Sequence, residues 1–357
     1  EKICTAGDIS RGAGVGLQWR KTPIDLFFKY GESRVKILTE KLSHNWKMPV
    51  PLSITQGEWT PDFVSSEIKD DVGKIIINRP EGLNAMNPLV VSQLAVAFDQ
   101  LDADPDITTI ILTGRGKAFV AGADIKFFID HIKNQTIPEI VKFTTEGQAL
   151  FQRIDVSTKK IVAVVNGLAL GGGLELALTA DVIVALDNAV FAFPETGIGI
   201  YPGLGGTQRT IDRVGTGLTK FMIYTGQMLN AKTATEIGLI DGIVTWNEIQ
   251  SLPEHVSKLS RQNPILSDYW QEISNYFNSK TVYNLLDNHY EIPTGMEKMI
   301  SRIRTKAPIA LQLSERLIND HKGPESELMY ISDLFRTQDA LAGLQNVGKK
   351  PPAYRGI

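Results

Sequence analysis

Two glutamates in apolar, glycine-rich surroundings are the residues of this sequence best suited to move protons. Glu175 ends the run Val165-Asn166-Gly167-Leu168-Ala169-Leu170-Gly171-Gly172-Gly173-Leu174-Glu175, and Glu195 follows Phe193-Pro194. Between them lies the apolar run Val182-Ile183-Val184-Ala185-Leu186. A carboxyl group becomes useful as a general acid or base when burial raises its pKa towards the working pH. Two of them in one pocket can divide the acid and base roles. The triple glycine leaves backbone N–H groups open to approach, and at a helix start such groups can hold a developing oxyanion. Taken alone, the same residues also read as a flexible turn followed by a glutamate that compensates a helix dipole.

Those residues must be held by something, and the composition bounds what it is. The chain has 357 residues, 43% hydrophobic and 22% charged, with a formal net charge of −3. That suits two globular domains, or one large domain with appendages. The charge balance supplies no basic field for nucleic acid or an anionic membrane. The single cysteine, Cys4, permits no intrachain disulfide. No apolar stretch is long enough to span a bilayer and no signal-peptide pattern opens the sequence, so a cytoplasmic protein is expected. No His, Cys and Asp cluster has metal-ligand spacing, so no metal is expected.

The spacing of apolar residues predicts an α/β core from about 65 to 250. Strands are expected over 74–78, 108–113, 160–165 and 182–186, with helices over 88–101, capped by Asn87, and 174–178. After Val244 the strand signals fade, and helices are expected over 310–319 and 325–340. The aromatic-rich stretch 263–300 (Tyr269, Trp270, Tyr276, Phe277, Tyr283, Tyr290) suggests helix packing or a subunit contact. At the other end, Asp8 is a candidate N-cap, 22–31 reads as a short helix closed by Gly31, and 33–42 reads as a helix with Val35, Leu38 and Leu42 on one face. Met48-Pro49-Val50-Pro51-Leu52 reads as an extended linker. Gly12-Ala13-Gly14-Val15-Gly16 lacks the GxGxxG spacing and a preceding strand, so it is not a dinucleotide loop.

Five segments, in order, resemble the crotonase (enoyl-CoA hydratase/isomerase) family. They are Asn78-Arg79-Pro80 with Leu83-Asn84-Ala85-Met86, then Lys117 through Lys126, then Asn166-Gly167 through Glu175. Phe193-Pro194-Glu195 with Pro202-Gly203-Leu204-Gly205-Gly206-Thr207-Gln208-Arg209 follows, and last comes Phe335-Arg336-Thr337-Gln338-Asp339-Ala340-Leu341-Ala342-Gly343. The resemblance covers about 65–357. It implies a crotonase-like ββα spiral core over 59–250 and a C-terminal helical oligomerisation region over 251–357, with an insertion near 263–300. It also implies a homotrimer or a dimer of trimers.

The resemblance further implies an acyl-CoA substrate and no separate cofactor. The N–H groups of Ala123 and Gly172 would hold the thioester oxygen, and Glu175 and Glu195 would add water across the 2,3 double bond to give a (3S)-3-hydroxyacyl-CoA, as in β-oxidation. Ala85, Ala121, Gly122, Ala123, Asp124, Ile125, Lys126 and Gly172 would line the substrate groove. Two fixed N–H dipoles facing the thioester oxygen are worth roughly 3 kcal/mol for each donor removed. A double-bond isomerase, another crotonase-type lyase or hydrolase, and a non-catalytic CoA-ester-binding protein remain alternatives. Finally, Asp8-Ile9-Ser10 through Leu26 resembles the last helical repeat of 3-hydroxyacyl-CoA dehydrogenases. On that reading the helical segment 1–58 ends a dehydrogenase, the chain is the C-terminal part of a dehydrogenase–hydratase fusion, and it carries no NAD site itself.

Overall fold

In the computed structural model, residues 12–17, 26, 30–50, 61–250, 256–289 and 291–356 are described. The chain divides into a unit up to Ser65 and a unit from Ser66 onward. In the first, Gly12–Gly16 forms a single π-type turn and α1 spans Glu32–Trp46. Gly31 (φ 79°) stands immediately before α1 as its N-cap, and Leu38 and Leu42 on that helix are exposed. The expected cap Asp8 and most of the dehydrogenase-like stretch up to Leu26 lie outside the described residues, as do 22–25 and Pro51-Leu52.

The second unit is built on two sheets fed alternately by the chain. The strands are β1 (Val64–Lys69), β2 (Val72–Ile77), β3 (Thr109–Gly114), β4 (Ala118–Ala121), β5 (Lys160–Val165), β6 (Leu168–Leu170), β7 (Val182–Ala185), β8 (Val190–Ala192), β9 (Leu229–Asn230) and β10 (Gly242–Ile243). The larger sheet has the order β1-β2-β3-β5-β7-β10 and the smaller the order β4-β6-β8-β9. Each of β3, β5 and β7 is followed by a strand in the smaller sheet, and helices carry the chain from each such pair to the next. The strands from β2 to β10 in the larger sheet run parallel, as do β4, β6 and β8. Parallel strands covered on both faces read as unbroken apolar runs. Accordingly β7 is buried throughout, and Ile111, Val162, Val164, Val182 and Val184 pack into one cluster.

The helices follow from their caps and apolar spacing. In α2 (Pro88–Ala103) Asn87 accepts a hydrogen bond from the Val90 N–H and Pro88 occupies the first turn. Its buried face is Val90, Val91, Leu94, Ala97, Phe98 and Leu101, the spacing of one helical stripe. Next come α3 (Ile125–Lys133), α4 (Ile137–Asp155), the six-residue α5 (Gly172–Ala177) and α6 (Gly206–Thr225), which kinks at Gly215 (φ 80°). After α7 (Ala231–Glu236) and α8 (Trp246–Gln250) the chain is helical: α9 (Asp268–Ser279), α10 (Val282–Leu286), α11 (Glu297–Ile303), α12 (Pro308–Asp320), α13 (Leu328–Leu334) and α14 (Gln338–Gln345).

One expectation needs correction here. The single helix expected over 325–340 is three pieces: a 3₁₀ turn Pro324–Glu327, then α13 and α14. Thr337 adopts extended geometry and its hydroxyl accepts the Ala340 N–H, which starts a new helix. Phe335 is buried at the break against Phe128. The aromatic stretch resolves into internal helix packing at two of its residues, because Trp270 and Phe277 on α9 both meet Phe221 of α6 edge-on. Tyr269 and Tyr283 are exposed.

Candidate active site

The triple glycine is a point of close approach between elements. Gly171 (φ 50°, ψ −123°) turns the chain from β6 into α5, and its N–H donates to the Ala192 carbonyl at 2.9 Å. A Cβ on Gly171 would lie 2.1 Å from Oε1 of Glu195. A Cβ on Gly173 would lie 1.9 Å from the Val120 carbonyl oxygen, so α5 rests directly on β4 and only glycine fits there. The result places the start of α5 beside the end of β4.

The segment leaving β4 pairs with the loop after β2. Ala121 donates to the Leu83 carbonyl at 3.0 Å, Met86 to Gly122 at 2.9 Å, and Asp124 to Met86 at 2.7 Å. This parallel bridge between Met86 and Ala123 uses the groups flanking Ala123. The N–H of Ala123 itself therefore points to the other side. Among the described residues, neither that N–H nor the N–H of Gly172 donates to a protein acceptor.

Two buried asparagines brace these loops. Asn84, fully buried with φ 59°, donates to the carbonyls of Arg115, Ala118 and Phe119, and its Oδ1 accepts the Arg79 N–H. Asn166 accepts from Gly114 and donates to Gly116. Arg79 ties the two segments together through the Ala85 carbonyl (2.9 Å) and the Asp124 carboxylate (2.8 Å).

Glu175 faces inward from α5 and Glu195 opens the 3₁₀ turn Glu195–Ile198; both are buried. Their surroundings differ. Oε1 of Glu175 accepts the N–H groups of Leu204 (2.7 Å) and Gly206 (2.8 Å). Burial pushes this carboxyl up to about 7, against the pull of those two N–H groups and the Arg209 guanidinium. Among the described residues, Oε2 of Glu195 is buried without a protein hydrogen-bond partner. Burial first, and the like charge of Glu175 second, raise Glu195 well above the ordinary carboxylate range. The like charge of Glu175 opposes ionisation of both carboxyls together, so the first charge falls on one of them. Glu175, with its two N–H donors, is the better place for that charge.

The model of the enoyl-CoA hydratase/isomerase family matches residues 67–294. The chain belongs to that family. It is 38% identical over 192 residues to a short-chain-enoyl-CoA hydratase of Clostridium acetobutylicum, covering 54% of this chain and 72% of the relative. It is 41% identical over 189 residues to a crotonyl-CoA hydratase of Syntrophomonas wolfei, covering 53% of this chain and 70% of the relative. Among solved structures, an enoyl-CoA hydratase from Rhodobacter sphaeroides shares the fold with a TM-score of 0.72 at 21% identity, over 82% of this chain and 93% of the other.

Within this family fold, the residues singled out from sequence fall into two groups. Ala85, Ala121, Gly122 and Ala123 lie together on the paired loops, and Gly172, Glu175 and Glu195 come together around α5. The side chain of Asp124 is committed elsewhere, capping α3 by accepting the Lys126 N–H and binding Arg79; the Lys126 side chain is exposed, and Ile125 opens α3. The sequence holds no sign of a third buried carboxyl, Glu327, which meets the loop that also holds Glu175. In Pro324-Glu325-Ser326-Glu327 it looks like any acidic helix start, and nothing local separates it from Glu325. Its pairing partners lie 120 or more positions away.

Proposed function

We propose that this protein is an enoyl-CoA hydratase, adding water across the 2,3 double bond of a 2-enoyl-CoA to give the 3-hydroxyacyl-CoA. The observation that carries the reading is the asymmetric pair of buried carboxyls, one tethered by two N–H groups and one whose Oε2 has no protein hydrogen bond among the described residues. Glu175, ionised, takes a proton from water as the water oxygen bonds to C3. The π electrons shift to C2 and onto the thioester oxygen, where the N–H groups of Ala123 and Gly172 stabilise the charge. Glu195, protonated, gives its proton to C2. Two hydrogens and one oxygen enter the product, and the proton gained by Glu175 and lost by Glu195 is re-equilibrated before the next turnover. The paired loops carrying Ala85, Ala121, Gly122 and Ala123 would form the wall on which the CoA thioester lies.

The test is the loss of conjugated-thioester absorbance on adding crotonyl-CoA. Rapid loss that Glu175→Gln abolishes is expected. No loss with the folded wild-type chain would reject the hydratase, and conversion of a 3-enoyl-CoA into a 2-enoyl-CoA would then identify an isomerase. We further expect a trimer or a dimer of trimers, since the C-terminal helices expose Tyr283 and Met329; a monomeric mass in light scattering would contradict it.

A further inference from the structure

The loop entering α6 offers four consecutive N–H groups, and they alternate between two carboxylates. Leu204 and Gly206 donate to Oε1 of Glu175, at 2.7 and 2.8 Å. Gly205 donates to Oε2 of Glu327 at 2.6 Å, and Thr207 donates to its Oε1 through the N–H at 2.9 Å and the hydroxyl at 2.5 Å. The four donors are consecutive residues at the entry to α6, so a displacement of this short segment moves the N–H groups that meet Glu327 together with those that meet Glu175. Whatever fixes Gly205 and Thr207 therefore also fixes what Glu175 meets. With Oε1 of Glu175 occupied, Oε2 is the oxygen towards Gly172, 3.8 Å from where a Cβ on that glycine would lie.

Glu327 is itself well anchored. It is completely buried, and Tyr201 donates its hydroxyl to the Glu327 carbonyl at 2.5 Å. Gln148 bonds the carbonyls of Gly203 (2.8 Å) and Pro324 (2.9 Å), joining the loop to the turn that carries Glu327. From the other side Arg209, paired with Asp155, holds the Leu204 carbonyl. No cation pairs with Glu327 among the described residues. A buried carboxyl without a cation is costly, which makes a purely stabilising role a poor account of it.

We propose that Glu327 is a positioning residue for the hydration reaction, acting through the 204–207 loop to aim the Glu175 carboxylate at the reacting water. This rests on the reading of Glu175 as the base. The titratable and charged groups facing Glu327 are Glu175, Glu195, Tyr201 and, behind the loop, Arg209 with Asp155. Burial and the like charge of Glu175 raise Glu327 to about 8, so it is largely neutral while Glu175 ionises. Its influence on Glu175 at that point runs through the loop rather than through charge.

The experiment compares Glu327→Gln and Glu327→Asp with wild type. The glutamine is isosteric but sets an amide N–H₂ against one loop N–H. The aspartate keeps the carboxyl but is one methylene short of spanning Gly205 and Thr207. Both variants are expected to lower kcat by about 10- to 10²-fold with KM within about threefold, the scale of a small misplacement at a reacting group. Both should also move the acid limb of kcat/KM upward by about half a unit or more, because Glu175 loses fixed donors to its charged form. Kinetics within about twofold of wild type, an unmoved acid limb, or an aspartate variant that behaves like wild type would each overturn the proposal. Carbon-13 NMR titration of Glu175 in substrate-free protein reads the same shift without turnover. If wild type fails to hydrate crotonyl-CoA, the hydratase reading falls and this titration alone decides the positioning role, with an unshifted Glu175 refuting it.

Discussion

Gly173→Ala tests whether the contact between α5 and β4 sets the oxyanion geometry. The added Cβ would lie 1.9 Å from the Val120 carbonyl oxygen, whereas real Cβ atoms essentially never approach a neighbour closer than 3.0 Å. The two backbones must therefore part by about 1.1 Å, the difference between those distances. That oxygen belongs to β4, which leads within three residues to Ala123, and Gly173 directly follows Gly172. The displacement thus falls on the separation of the two N–H donors. A misplacement of about 1 Å costs on the order of 10² in rate, and loss of one oxyanion donor costs 10² to 10³, or roughly 3 to 4 kcal/mol of transition-state stabilisation. Crotonyl-CoA hydration should accordingly fall in kcat by about 10²-fold. Overpacking of this kind should also cost about 1–3 kcal/mol of stability. Gly242→Ala, where the new Cβ meets nothing within 4 Å, serves as the control and should leave kcat near wild type. A folded Gly173→Ala enzyme with kcat within about threefold of wild type would refute the argument that this contact spaces the donors.

Other perturbations probe the carboxyls and their supports. Glu175→Gln and Glu195→Gln should each lower kcat by at least about 10²-fold with the fold intact by circular dichroism; near-normal turnover in either would discard the acid–base pair. Asn84→Ala removes the amide donor from the carbonyls of Arg115, Ala118 and Phe119, leaving Ala118 only the Asn166 amide, and should cost on the order of 1–3 kcal/mol, visible as a lower urea midpoint with an unchanged m value. Stability should also depend on pH. Glu175 rises from its ordinary value near 4.5 to about 7 on folding, and Glu327 to about 8. A raised folded pKa means that the native state binds more protons in that window, so stability is greatest below about 4.5 for these groups and is lost as pH rises through 7 and 8. The decline is worth on the order of 3 kcal/mol for Glu175 and on the order of 5 kcal/mol for Glu327, and Glu327→Gln should flatten it between pH 5 and 8. A variant whose melting temperature falls as steeply as wild type would show that Glu327 does not keep its proton on folding.

What the sequence made legible was local. Unbroken apolar runs marked the parallel strands β3, β5 and β7, and Asn87-Pro88 marked the start of α2, because each signal is written in neighbouring residues. The helix break at Phe335-Arg336-Thr337 was not, since Thr337 serves equally as a helical residue and as a cap until Phe335 finds Phe128. Glu175 and Glu195 stood out against apolar and glycine-rich neighbours. Asn84 and Glu327 did not, because their meaning lies in partners 31 to 35 and 120 to 122 positions away.

The same long-range pairing explains why the site is costly for the fold. Glu175, Glu195 and Glu327 are all buried; loop N–H groups rather than full ion pairs offset the desolvation of Glu175 and Glu327, while Oε2 of Glu195 has no such donor among the described residues. Backbone donors suit the chemistry better than cations would. A close cation would hold a carboxyl ionised at every working pH, and a proton donor could not then keep its proton. N–H groups offset only part of the burial cost, leaving Glu175 near 7 and therefore able both to accept and to release a proton near neutrality. Replacing Leu204 or Gly206 by proline would delete one of those donors. Such a variant should raise the acid limb of kcat/KM, the direction set by removing a donor to the charged form. A fall in that limb would mean that burial is not what sets Glu175.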